Sequence, residues 1–172
     1  IFLLIIKYSS QIYSCFFKSW AYIKNLIIIL FCFFGVAPLF AQMMVTVNCI
    51  KDNTLIENGS GSLSNGAGQN IYVGRINRSS GSIRRAVLAF DISSVPSGAT
   101  VESVSLSLNM SRSRSGGQTI SVHKLTADWG EGSSASFGGS GASSASNDAT
   151  WVHRFFSSTS WSSAPMVTDV QA

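Results

Sequence analysis

The sequence predicts an all-β fold, a jelly-roll-like antiparallel β-sandwich preceded by a hydrophobic signal segment. Three observations lead there. From Met44 onward apolar and polar residues alternate with period 2, the pattern of strands buried on one face. The alternating runs are separated by Gly/Ser-rich connections, as in sandwiches and jelly rolls. No window sustains the 3.6-residue period of an amphipathic helix.

The first strand is expected around Val45, Val47 and Cys49, which alternate with Thr46 and Asn48. Ile71 and Val73 alternate with Tyr72 and Gly74. In the next strand Ala86, Leu88 and Phe90 share one face, with Val87 and Ala89 on the other. The clearest alternation sets Val104, Leu106, Leu108 and Met110 against Ser103, Ser105, Ser107 and Asn109. Ile120 and Val122 mark a further strand, and residues 151–156 a last aromatic one. That is roughly six strands where a jelly roll has about eight, so the module is read as truncated at its C-terminus. Connections fall at residues 58–68, 77–82, 93–99, 111–117 and 130–148. The first and last of these are long enough to be functional or disordered. The last is rich in Gly, Ser and Ala and reads as largely flexible.

Residues 1–41 are expected to form the leader and residues 42–172 the module. In the leader, Lys18 and Lys24 precede an apolar run that breaks at Gly35 and Pro38 and ends in Ala41, the order of a secretory signal. Cleavage after Ala41 leaves Gln42 as the new N-terminus. The run is short for a membrane span; the alternative is an uncleaved anchor, the one route by which the chain would meet a membrane. Residues 1–17 lack an initiator Met and carry a second apolar patch, and read as sequence upstream of the true start or as a fragment.

Composition narrows the function. Of 172 residues, 45% are hydrophobic and 12% charged, against about 25% charged in an average globular protein. The formal charge of +4 comes largely from Lys7, Lys18 and Lys24 in the leader. The remaining nine Lys/Arg face eight Asp/Glu, so the module is near neutral and has no electrostatic footprint for nucleic acid. Cys15 and Cys32 lie in the leader and leave Cys49 alone, without an intrachain disulfide or cysteine metal cluster. The sequence has no Gly-x-Ser-x-Gly elbow. Asp128 and Glu131 are the close acidic pair beside an aromatic and suit loop structure better than glycoside hydrolysis. His123 and His153 lack a clear third zinc ligand.

Ordered segments carry a resemblance. Asp52-Asn53-Thr54-Leu55-Ile56-Glu57 resembles the Asp-Asn-x-Leu-x-Glu signature of the DNRLRE domains, secreted β-sandwich modules related to carbohydrate-binding modules. Asn65-Gly66-Ala67-Gly68-Gln69, Ile71-Tyr72-Val73-Gly74-Arg75 and Arg84-Arg85-Ala86-Val87-Leu88-Ala89-Phe90-Asp91-Ile92 follow in order. Val95-Pro96-Ser97-Gly98, Trp129-Gly130-Glu131-Gly132 and Asp148-Ala149-Thr150-Trp151 complete the set, which spans residues 45–161. Thr54 stands where the family name carries Arg, and residues 162–172 do not match the Gly-Gly-Asp-like continuation, as after a truncation or frameshift.

The resemblance implies a non-catalytic exported module that binds a polysaccharide or cell-surface glycan, or serves as an accessory to further domains of a longer secreted protein. The alternative is a structural or adhesive surface sandwich without a sugar site. Arg75, Arg84, Trp129 and Trp161 are the expected ligand-binding residues: arginine pairs with a uronate carboxylate, and an exposed ring stacks on a sugar face. The competing reading makes the tryptophans core and pairs Arg84 or Arg85 with Glu57 or Glu131. Asp52, Asn53, Glu57 and Glu131 are candidate ligands of a structural Ca²⁺, against a loop whose side chains satisfy local amides.

Overall fold

A computed structural model of the chain describes residues 3–10, 41–162 and 170–171. The described residues contain strands and no helix, and every pairing is antiparallel. The strands are β1 (Leu3–Ser10), β2 (Ala41–Ile56), β3 (Leu63–Ser64), β4 (Gly74–Arg75), β5 (Ile83–Phe90), β6 (Thr100–Ser107), β7 (Lys124–Leu125), β8 (Ala142–Ser143), β9 (His153–Phe155), β10 (Thr159–Ser160) and β11 (Val170–Gln171). The leader's apolar core (residues 24–40), Cys15, Cys32 and residues 163–169 of the tail lie outside the described residues. No helix among the described residues is long and apolar enough to cross a membrane.

The chain divides into two compact units. Residues 1–48 and 92–108 form the first. There β1, which the sequence assigns to the leader, pairs with β2 from Leu3↔Asn48 to Ser10↔Ala41. On its other edge β1 pairs with β6, with a register shift between Lys7 and Tyr8. Val45 and Val47 are buried while Met44, Thr46 and Asn48 are exposed, so the expected alternation holds. β6 departs from expectation. Its strand forms, but Val101 and Val104 are exposed, and Leu108 and Met110 beyond it are exposed too. Alternation chooses which face is apolar; burial also needs a layer over that face, and here Leu106 alone among the strand's residues is even half-buried.

Residues 49–91 and 109–172 form the second unit. β2 continues here and pairs with β5 from Cys49↔Phe90 to Ile56↔Arg84, and β5 pairs with β4. Asp52 and Asn53 therefore lie within a strand, where the sequence placed them near a turn. Asn53, Thr54, Leu55 and Ile56 are all 1% exposed or less, so this half of β2 is covered on both faces. Leu55 packs with Val87, Trp129, Ala149 and Trp161, and Ala89, Leu125, Ala127 and Trp151 extend the cluster. Short pairs β3–β8, β9–β10 and β7–β11 tie down the connections. Ile120 and Val122, expected in a strand, are exposed and outside any strand; pairing in this region begins at Lys124.

Candidate functional site

The long connections of the second unit are built on buried polar groups. Asn53, the first residue of β2's buried stretch, is the hub. Its Nδ2 donates to the Glu131 carbonyl at 2.8 Å, and its Oδ1 accepts the Asn65 amide at 3.3 Å. Ser64 Oγ lies 3.0 Å from Asn53 Oδ1 and 2.7 Å from the Ala149 carbonyl. Asn65 carries the chain onward: its Oδ1 accepts the Ser136 amide at 2.7 Å and its Nδ2 donates to the Asn70 carbonyl. Asp148, fully buried, accepts the Ala145 amide at 2.6 Å and the Ser134 amide at 3.3 Å. Side chains thus satisfy backbone amides that have no sheet partner, which is what lets such long loops pack inward. Gly66 is required by close approach, since a Cβ there would collide with the Glu131 carbonyl. At Gly132, with φ of 74°, a Cβ would strike Asp148.

These loops frame an open cleft of about 500 Å³ lined by Lys51, Asp128, Glu131, Ser146, Asn147 and Phe155, among others. A neighbouring cleft of about 310 Å³ shares Ser146, Asn147 and Phe155 and adds Phe156, Ser157 and Ser158. Lys51 is fixed at the edge by an ion pair to Asp128 at 2.9 Å and a hydrogen bond to the Trp129 carbonyl. The Lys51 hydrogen bond holds the Asp128 carboxyl below the usual carboxylate range. Burial, and then the neighbouring Glu131, push Asp52 up. Burial also raises the Cys49 thiol. Asn147 is the one described non-glycine residue with positive φ, 69°. Its amide N–H donates to the Phe156 carbonyl at 2.9 Å, while its exposed carboxamide has no hydrogen-bond partner among the described residues. Left-handed backbone at a non-glycine residue clusters at binding sites.

The sequence-chosen residues fare differently. Trp129 and Trp161 are each 4% exposed and belong to the core. Trp161 Nε1 donates to the Thr150 carbonyl at 2.9 Å, and Lys51 Nζ stands 4.5 Å from the centre of the Trp129 ring. As placed, neither ring offers a stacking face to a sugar. Arg75 is exposed and bonds Ser82 Oγ; Arg84 is buried. Arg84 makes no ion pair with Glu57 or Glu131: Glu57 accepts the Ile83 amide at 2.8 Å, and Glu131 accepts the Asp52 amide at 3.0 Å.

Of the four candidate calcium ligands, Glu131 meets the Asp52 amide through its carboxyl and Asn53 through its backbone carbonyl, and Glu57 is engaged elsewhere. The Asn53 oxygen is already taken by Ser64 and Asn65. No group of three acids, histidines or cysteines is gathered among the described residues. The cleft residues Ser146 and Asn147 escaped sequence reading because they lie in a stretch that reads as low-complexity loop, and Phe155 because it reads only as part of an aromatic strand. The isolated Asn147-Asp148 pair within it was the available signal.

Comparison with known protein families, with curated proteins and with solved structures finds no match. The resemblance to DNRLRE domains rests on the quoted segments alone.

Proposed function

We propose that the chain is an exported, non-catalytic binding module of jelly-roll-like sandwich type whose ligand is a polysaccharide or cell-surface glycan. The observation that carries this reading is Asn147. It stands in left-handed backbone with an unengaged carboxamide, beside Phe155 and within two neighbouring clefts, the larger of which Lys51 and Asp128 border. A partly exposed ring with a few fixed donors and acceptors suits a sugar, which offers an apolar C–H face and a rim of hydroxyls. The polar groups are held by loop architecture: Asp128 is paired with Lys51, and Glu131 caps a backbone amide. Such engagement supports binding over acid–base chemistry.

Affinity electrophoresis of the full chain against neutral and acidic polysaccharides, with and without chelator, tests the proposal. Retardation by one glycan, reduced about tenfold in affinity by Phe155→Ala or Asn147→Gly, is expected from loss of one stacking or hydrogen-bonding contact. Loss of retardation only with chelator would bring a calcium ion into the site. A folded chain that no glycan retards would instead leave the structural or adhesive reading, which the exposed Val101 and Val104 of β6 favour.

A further inference from the structure

Asparagine followed by glycine is self-reactive: the glycine amide nitrogen, unhindered by a side chain, attacks the asparagine side-chain carbon intramolecularly. Two such pairs lie in the second unit, Asn58-Gly59 and Asn65-Gly66, and the fold treats them oppositely. Asn65 is 1% exposed, and each of its reacting groups is engaged. Its Oδ1 accepts the Ser136 amide at 2.7 Å, and its Nδ2 donates to the Asn70 carbonyl at 3.0 Å. The Gly66 amide donates to Ser134 Oγ at 3.2 Å, and Gly66 is pressed against the Glu131 carbonyl. Asn58-Gly59 lies in the turn between β2 and β3. Gly59 is exposed with open space around it, and its amide has no hydrogen-bond partner among the described residues. Asn58 Oδ1 accepts the Ser60 amide at 3.0 Å and the Ser60 hydroxyl at 2.5 Å. Two donors on that oxygen stabilise the negative charge that develops there when the carbon is attacked.

We propose that Asn58-Gly59 is a self-modification site, which converts to aspartyl and isoaspartyl residues in the folded chain while Asn65-Gly66 is held inert. Gly59 N bonds to Asn58 Cγ and gives its proton to solvent base. The Cγ–Nδ2 bond breaks, and Nδ2 takes a proton from water and leaves as ammonia. Water then adds to one carbonyl of the resulting succinimide and a ring C–N bond opens. Opening on the side-chain side yields aspartate; opening on the main-chain side yields isoaspartate. The two products meet the turn differently. An aspartate keeps the main chain and offers the Ser60 amide a charged acceptor in place of a neutral one. Isoaspartate inserts a methylene into the main chain of a turn that has no slack. Gly61, whose amide donates to the Asn58 carbonyl at 3.1 Å, sits so tightly that a Cβ there would lie 2.7 Å from His153 Nδ1 and 2.8 Å from Thr150 Oγ1. The site is separate from the Asn147 groove and does not depend on the glycan reading.

The test uses the full chain, incubated at mildly alkaline pH either folded or in denaturant, with both asparagines followed by peptide mapping and mass. In the folded chain Asn58 is expected to convert at least about tenfold faster than Asn65, which reacts only through local opening. In denaturant the two rates converge, because the contacts that hold Asn65 are gone. Gly59→Ala, which adds a Cβ into open space, is expected to keep the fold and slow conversion at Asn58 about tenfold by crowding the attacking nitrogen. Asn58→Asp is expected to melt with the parent, whereas the isoaspartyl fraction of aged protein melts below it. The proposal is overturned if Asn58 in the folded chain stays unconverted, if Asn65 converts as fast as Asn58 there, or if Gly59→Ala leaves the rate at Asn58 unchanged.

Discussion

Strand β6 and the connection at residues 130–148 exchange the roles that pattern alone assigns them. β6 has the cleanest alternation in the sequence, and its valines are exposed. The connection is rich in Gly, Ser and Ala, yet Ser134 and Asp148 within it are buried, as are Asn53, Ser64 and Asn65 that hold it. The difference teaches that apolar periodicity marks a face available for burial, whereas saturating every buried polar group is what fixes a loop.

The sharpest way to break the comparison is Asp148→Ala. It strands the amides of half-buried Ala145 and buried Ser134 and is expected to cost about 3 kcal/mol in denaturant unfolding. Gly66→Ala forces the Glu131 carbonyl away from Asn53 and is expected to cost about 2 kcal/mol, read from the shift in unfolding midpoint. Asp52→Asn sharpens it in the other direction. The folded Asp52 binds its proton more tightly than the ordinary value of 3.8, so its contribution is complete below that value and fades as pH rises through the raised one. The amide removes that loss, so the variant gains about 0.5 kcal/mol at pH 7 and nothing at pH 3 in paired thermal melts. The smallest effect is at β6, where Val104→Ser stays within about 0.5 kcal/mol of the parent.

The all-β class was legible because period 2 is local: Val45 and Val47 bury as their spacing demands. The Asn65-Gly66 and Trp129-Gly130-Glu131-Gly132 segments were legible as special, and they prove to be the contact between the two long loops. Their partners were not legible. Nothing local in Asp52-Asn53 shows that β2 continues through them, or that Asn53 meets Glu131 across 78 positions of sequence. Trp129 and Trp161 border loops in sequence, and only the tertiary packing around Leu55 makes them core. Asn147 owes its place in the groove to its neighbour Asp148, which folds the chain back at Ala145.

Native-state amide hydrogen exchange on the full chain tests most directly the claim that side-chain hydrogen bonds turn these loops into a rigid frame for the groove. The amides of Asn65, Ser136 and Ala145, each held by a side-chain oxygen, are expected to exchange at least about tenfold more slowly than those of β6. Exchange of these three amides as fast as β6, or faster, would contradict it, and would leave the groove without the fixed geometry on which the binding proposal depends.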